Sequence, residues 1–139
     1  MTKLIPPVVR AGTMANSTQA DIVIDDELLL RAWRESDAAT VVEAFSDVDI
    51  QHWHFRSYET EEAALNGGVA TRACIAATRW AHDLGLHRIQ LQHSTRNEAS
   101  GRVAVRAGFV PEGVRRGANL HDDGWHDMRL YSHLATDGV

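Results

Sequence analysis

Residues Gly67–Gly113 read GGVATRACIAATRWAHDLGLHRIQLQHSTRNEASGRVAVRAGFVPEG, and the fold is decided there. Val69, Ala73, Ala76, Trp80 and Leu84 recur at spacings of three and four, which predicts a helix with one apolar face opening directly after Gly67-Gly68. Gly85 supplies the left-handed residue that ends such a helix. Ile89 and Leu91 then alternate with Arg88, Gln90 and Gln92, the period of a strand. Asn97 can cap a second helix, on which Val103 and Ala107 lie four apart and which Gly108 can close. Phe109, Val110 and Val114 begin another strand. The order is helix, strand, helix, strand. Two turns carry the chemical interest. Unpaired N–H groups at the start of the first helix, beside small residues, would accept an anion. The turn HSTRNEAS puts Asn97 and Ser100 just past a strand end, where ligands of α/β proteins usually sit.

Three pieces in order carry a resemblance. They are Asn66-Gly67-Gly68-Val69-Ala70 running into Thr71-Arg72-Ala73, then Asn97-Glu98-Ala99-Ser100 through Ala107-Gly108-Phe109 to Glu112-Gly113, then Asp123 to Tyr131. Together they resemble the second half of a GNAT-family N-acetyltransferase, in the branch that acetylates the N-terminal residue of ribosomal proteins. The resemblance implies an α/β, GNAT-like (acyl-CoA N-acyltransferase) fold with a mixed sheet flanked by helices. It implies acetyl-CoA as cosubstrate and a primary amine, such as a protein N-terminus, as acceptor. It also implies direct attack in a ternary complex, without an acyl-enzyme.

A chain of 139 residues suits one domain, and its 44% apolar share permits a modest core. The net charge of −5 argues against charge-driven nucleic-acid binding. The single cysteine, Cys74, forbids an internal disulfide and fits a reducing cytoplasm. No apolar run reaches membrane-spanning length and no signal-peptide core opens the chain, so a soluble, intracellular protein is expected.

In chain order, residues 1–20 read as a loose lead-in and residues 21–137 as one domain. Asp21 to Trp33 suggests a hairpin or a single strand after a turn at Asp25-Asp26. Ser36 or Asp37 is placed to cap a helix bearing Ala38, Val41, Val42 and Phe45. Asp47 to Arg56 reads as a short helical or irregular piece. In the family, three further strands follow before the pyrophosphate loop. Here Glu59 to Leu65 runs straight into Asn66-Gly67-Gly68, and no alternating apolar segment offers those strands. The sheet is therefore expected to be truncated. The strand at Arg88–His93 would then present an edge that invites a homodimer, and large apolar side chains would be exposed.

Each candidate site residue has a functional and a structural reading. Asn66, Gly67, Gly68, Val69, Ala70 and Thr71 stand where the resemblance places cofactor phosphates, while a glycine pair before a helix also makes a plain tight turn. Asn97 serves as a helix cap, and the resemblance adds a hydrogen bond to the pantetheine arm. Ser100 matches the hydroxyl that would protonate the departing thiolate, or it is an ordinary first-turn serine. The tyrosine used there by other branches is replaced by Ala104. Glu112 lies in the matched motif as a candidate base or as a structural hydrogen-bond acceptor. Asn119 occupies the position where some relatives carry a second glutamate, and it cannot act as a base. His52, His54, His121 and His126, with Asp122, Asp123 or Asp127, could recruit a metal, but their spacing matches no zinc signature and none is expected. Arg115-Arg116 could meet phosphates or line a solvated strand. The leading expectation is an acetyl-CoA-dependent N-acetyltransferase. The alternative is a non-catalytic remnant that binds CoA weakly or associates with another chain.

Overall fold

A computed structural model describes Val9, Gly12, Thr13, Thr18 and residues 20–48 and 61–138. The expectations for most of the lead-in and for the Asp47–Arg56 piece past Val48, with His52 and His54, fall outside the described residues.

Asp21–Trp33 forms a hairpin. β1 (Ile22–Val23) pairs antiparallel with β2 (Leu29–Leu30), Ile22 opposite Leu30. Asp25 turns the chain by accepting the Glu27 N–H at 3.0 Å, an Asx turn. A 3-10 turn at Glu35–Asp37 leads into α1 (Ala38–Phe45). Asp37 stands at the cap position of α1 but makes no cap bond there. Its carboxylate instead accepts both Arg31 guanidinium N–H groups at 2.7 Å and the Arg34 N–H at 2.9 Å. That pairing with Arg31, followed by the Arg34 bond, holds the Asp37 carboxyl far below the usual carboxylate range.

α2 spans Glu61–Asp83, and here the structure corrects the expected boundary. The helix does not open after Gly67-Gly68 but runs through them. The preceding EEAAL run consists of strong helix formers, and a helix begun there propagates past two glycines at about 1 kcal/mol each. At its other end Gly85, with φ 91°, donates to the His82 carbonyl, and Leu86 donates to Ala81. β3 (Arg88–Ser94), α3 (Glu98–Arg106), β4 (Val110–His121) and β5 (Gly124–Leu134) follow as the sequence pattern implies.

The three-stranded sheet has the order β3-β5-β4, with β5 antiparallel to both neighbours. Every described pairing is antiparallel, so antiparallel pairs alone represent the mixed sheet expected from the sequence. Among the described residues no strand lies between Leu30 and Arg88, and the outer edge of β3 has no strand partner. Leu91 lies opposite Tyr131 and Ile89 opposite His133, so these side chains share one face. There α2 and α3 cover the sheet through a small core of Ala104, Ala107, Phe109 and Tyr131, with Cys74, Ile75, Ile89 and Leu91 against it. The other face mixes Gln90, Gln92 and Ser132 with Leu130 and Leu134, and polar contacts cross it. Arg88 of β3 reaches across β5 to Glu112 of β4, and Arg115 reaches Gln92 in the same way. Among the described residues the core has few large apolar side chains, Phe109, Met128 and Tyr131, with His93, His126 and His133 buried beside them, while Trp33 (81% exposed) and Trp125 (64% exposed) face outward.

Candidate cofactor site at the turn between β3 and α3

β3 ends at Ser94, and the chain turns through Thr95 and Arg96 to the cap of α3. Asn97 is that cap: its Oδ1 accepts the Ser100 N–H at 3.0 Å, and its own N–H donates to the Ser94 carbonyl at 2.9 Å. At 1% exposure the cap is sealed inside the turn. The N–H groups of Glu98 and Ala99 in the first turn have no carbonyl within α3 to bond, so the end of the helix is polarised toward an incoming acceptor. Ser100 stands half-buried in that turn. Gly101 follows in α3. A Cβ there would lie 3.2 Å from the His93 ring and 3.5 Å from the Tyr131 hydroxyl, so α3 sits close on the sheet at this position and a side chain would press on the imidazole. Ala104, where other branches place tyrosine, is fully buried in the core.

The turn is tied to the tip of the β4–β5 hairpin. The Thr95 N–H donates to the Asp127 carbonyl at 2.9 Å. The Ser94 hydroxyl lies 2.8 Å from His126 Nδ1, and His126 Nε2 lies 2.6 Å from Asp123 Oδ1. Arg96 Nη1 donates to Asp123 Oδ2 at 2.7 Å. Desolvation pushes the Asp123 carboxyl up, but the His126 hydrogen bond and charge, with Arg96, hold it on balance below its ordinary value. His121 stacks on His126 with ring centroids 4.1 Å apart. The sequence offered these residues only as separate histidines and acids. Their connection depends on a strand register that spacing does not reveal. Among the described residues, no group of three or more His, Cys, Asp or Glu side chains is arranged to hold a metal ion.

The other candidates lie elsewhere. Asn66, Gly67, Gly68, Val69, Ala70 and Thr71 fall within α2 instead of in a turn before it. From Gly67 onward an α-helical N–H bonds the carbonyl four residues back, so these groups are not the open cradle expected of a phosphate loop. Arg72 is ion-paired with Asp25 in the β1–β2 turn. Glu112 lies where the β4 register shifts, and its carboxylate takes both Arg88 N–H groups, at 2.7 and 2.5 Å, and the Ser132 hydroxyl at 2.8 Å. Those bonds, Arg88 foremost, lower its carboxyl to about 2. No hydrogen bond links Glu112 to Ser100 among the described residues. The Cys74 thiol is pushed up by burial, against a weaker opposing hydrogen bond from Thr78.

Residues 61–110, which contain α2, β3, the capped turn and α3, match the family model described as Acetyltransferase (GNAT) domain. This stretch is similar to a GNAT acetyltransferase domain. Over 85 residues the chain is 35% identical to the probable N-acetyltransferase YjcK of Bacillus subtilis, an alignment covering 60% of this chain and 46% of that protein. The chain thus spans about half the length of the curated relative it matches. Among solved structures, the chain resembles a probable GNAT-family acetyltransferase from Chromobacterium violaceum at 32% identity and a TM-score of 0.47, covering 50% of this chain and 35% of that one. It also resembles the ribosomal-protein-S5-alanine acetyltransferase of Vibrio fischeri at 30% identity and a TM-score of 0.49, covering 58% and 41%. No helix of the described residues is long and apolar enough to cross a membrane.

Proposed function

We propose that this chain is an acetyl-CoA-dependent N-acetyltransferase whose acceptor is a primary amine, with a protein N-terminus as the acceptor class. The observation that carries the reading is the GNAT match over residues 61–110, inside which the capped start of α3 holds Asn97 and Ser100. The likeness to a probable N-acetyltransferase supports it. The acceptor class rests on the N-x-x-S and G-F-x-x-E-G sequence pattern alone.

In this reading the start of α3 faces the pantetheine arm and the thioester. The neutral amine attacks the thioester carbonyl carbon, a C–N bond forms, and the C–S bond breaks. Ser100 is assigned to give its hydroxyl proton to the departing thiolate and recover one from the solvent or the acceptor nitrogen. The raised Cys74 thiol is a poor nucleophile, which agrees with direct transfer. Glu112 is a weak candidate base: a carboxyl near 2, already accepting three hydrogen bonds, draws little proton density from an ammonium group. We assign that proton to water.

The same observation favours a second reading, a catalytically inactive segment that binds CoA weakly or associates with another chain. Calorimetric titration of the folded chain with acetyl-CoA separates the two. Saturable binding, together with turnover of an amine-bearing peptide, supports the transferase. Binding without turnover favours the second reading. No binding by protein that circular dichroism shows to be folded sinks the transferase reading.

A further inference from the structure

We propose that His126 is a positioning residue for the cofactor turn: acting through Ser94, it clamps residues 94–97 to the tip of the β4–β5 hairpin and so fixes where the start of α3 points. The inference rests on the reading of that turn as the CoA contact.

The hydrogen bonds run in a chain. The Asp123 carboxylate can only accept, so His126 donates from Nε2 to Oδ1 at 2.6 Å, and Arg96 Nη1 lies 3.1 Å from the same nitrogen. On the far side of the ring, Nδ1 and the Ser94 hydroxyl share a hydrogen bond at 2.8 Å. Ser94 Oγ also accepts the Arg96 backbone N–H at 3.2 Å. The Ser94 carbonyl meanwhile accepts the Asn97 N–H at 2.9 Å and the His93 Nδ1–H at 2.7 Å. Ser94 is therefore held at both its side chain and its carbonyl, three residues before the cap that sets the first turn of α3.

Three further contacts close the clamp from the hairpin side. Asp127 accepts the Thr95 N–H, Arg96 bridges back to Asp123, and His121 lies flat against His126. His126 is 1% exposed and Ser94 is nearly as deep, so water does not compete for their bond. A surface turn held only by its own cap would not need a buried imidazole from a hairpin about 30 residues further along the chain. Locating the reacting groups is what such a support achieves, because small misplacement of a site lowers its effectiveness steeply.

The test uses the full chain as wild type, Ser94→Ala, His126→Leu and His126→Asn. Asparagine can present an amide oxygen to the Ser94 hydroxyl, and leucine cannot. Amide hydrogen exchange is followed at Ser100, with Leu91 in the middle of β3 as the reference for global opening, and CoA binding is measured by calorimetry. The expected result is exchange at Ser100 about tenfold faster in Ser94→Ala and His126→Leu with Leu91 little changed, and recovery in His126→Asn. CoA affinity should fall about tenfold in the first two variants and return in the third. Equal acceleration at Ser100 and Leu91 overturns the clamp, since it reports general destabilisation, and so does no acceleration at either. Altered exchange with unchanged CoA affinity overturns the positioning role. If the wild type binds no CoA, the cofactor reading fails, while the exchange data still decide whether the clamp exists. Ser94→Ala removes only one oxygen, so the measurement stands even where His126→Leu does not fold.

Discussion

The two places where the sequence suggests cofactor contact are built in opposite ways. At the β3–α3 turn, a buried asparagine bonds the first turn of α3, a serine and an imidazole bond each other, and a glycine lets the helix approach the sheet. At Asn66–Thr71, the chain is an uninterrupted helix, and its exposed Gly68 has open space where a side chain would be. The first is organised by side chains at the site itself. The second is organised by what precedes it, because a helix starts wherever upstream residues can nucleate it. A capped turn is therefore preformed for a ligand, whereas a glycine pair inside a helix must give up backbone hydrogen bonds before its N–H groups can meet one.

The largest effect expected from breaking this contrast is at Gly101. Gly101→Leu drives a side chain into the His93 ring and the Tyr131 hydroxyl, and overpacking of this kind costs about 1–3 kcal/mol. Chemical denaturation should show the loss, and an unchanged midpoint would mean that α3 does not sit as close to the sheet as described.

Alanine at the two candidate contacts should then act with opposite signs. Asn97→Ala leaves the Ser100 N–H without its acceptor and should destabilise by about 1 kcal/mol. Gly68→Ala should stabilise by up to about 1 kcal/mol, since alanine suits a helix interior better. Destabilisation by Gly68→Ala would restore the turn that the sequence suggests.

The smallest effect separates Glu112 from both. Its carboxyl is lowered from 4.5 to about 2 by Arg88 and Ser132, so it contributes stability above the higher value that is lost as pH falls toward the lower one. The pair is solvent-screened and its contribution is modest. Glu112→Gln should lower the urea midpoint modestly at neutral pH and leave it little changed at the acid end, so that the acid limb of the profile flattens. An unchanged acid limb would remove the Arg88 pair as its cause.

Much of this architecture is legible in the residues. The periodicity of Arg88–His93, the asparagine before Glu98-Ala99-Ser100, and Gly85 and Gly108, both at positive φ, announce their elements because each signal is local. The start of α2 is not, because the propensity of Glu61–Leu65 outweighs the punctuation of two glycines. The tie between Ser94 and His126 is also invisible: it joins residues whose neighbourhood is set by the pairing of β3 with β5, and no spacing rule encodes that register. Glu112 shows the same limit. Its place in a motif is readable, but its capture by Arg88 depends on a shift in the β4 register.

The interior rich in imidazole, hydroxyl and amide groups bears on how this protein responds to temperature. Unfolding a hydrocarbon core raises the heat capacity strongly, whereas releasing polar groups to water lowers it. With His126, His133 and Asn97 buried beside Phe109, Met128 and Tyr131, and Trp33, Trp125, Val110 and Val114 already in solvent, the two contributions offset each other more than in an oil-filled domain. The curve of stability against temperature should be correspondingly broad and shallow, low at its maximum and slow to fall away on cooling.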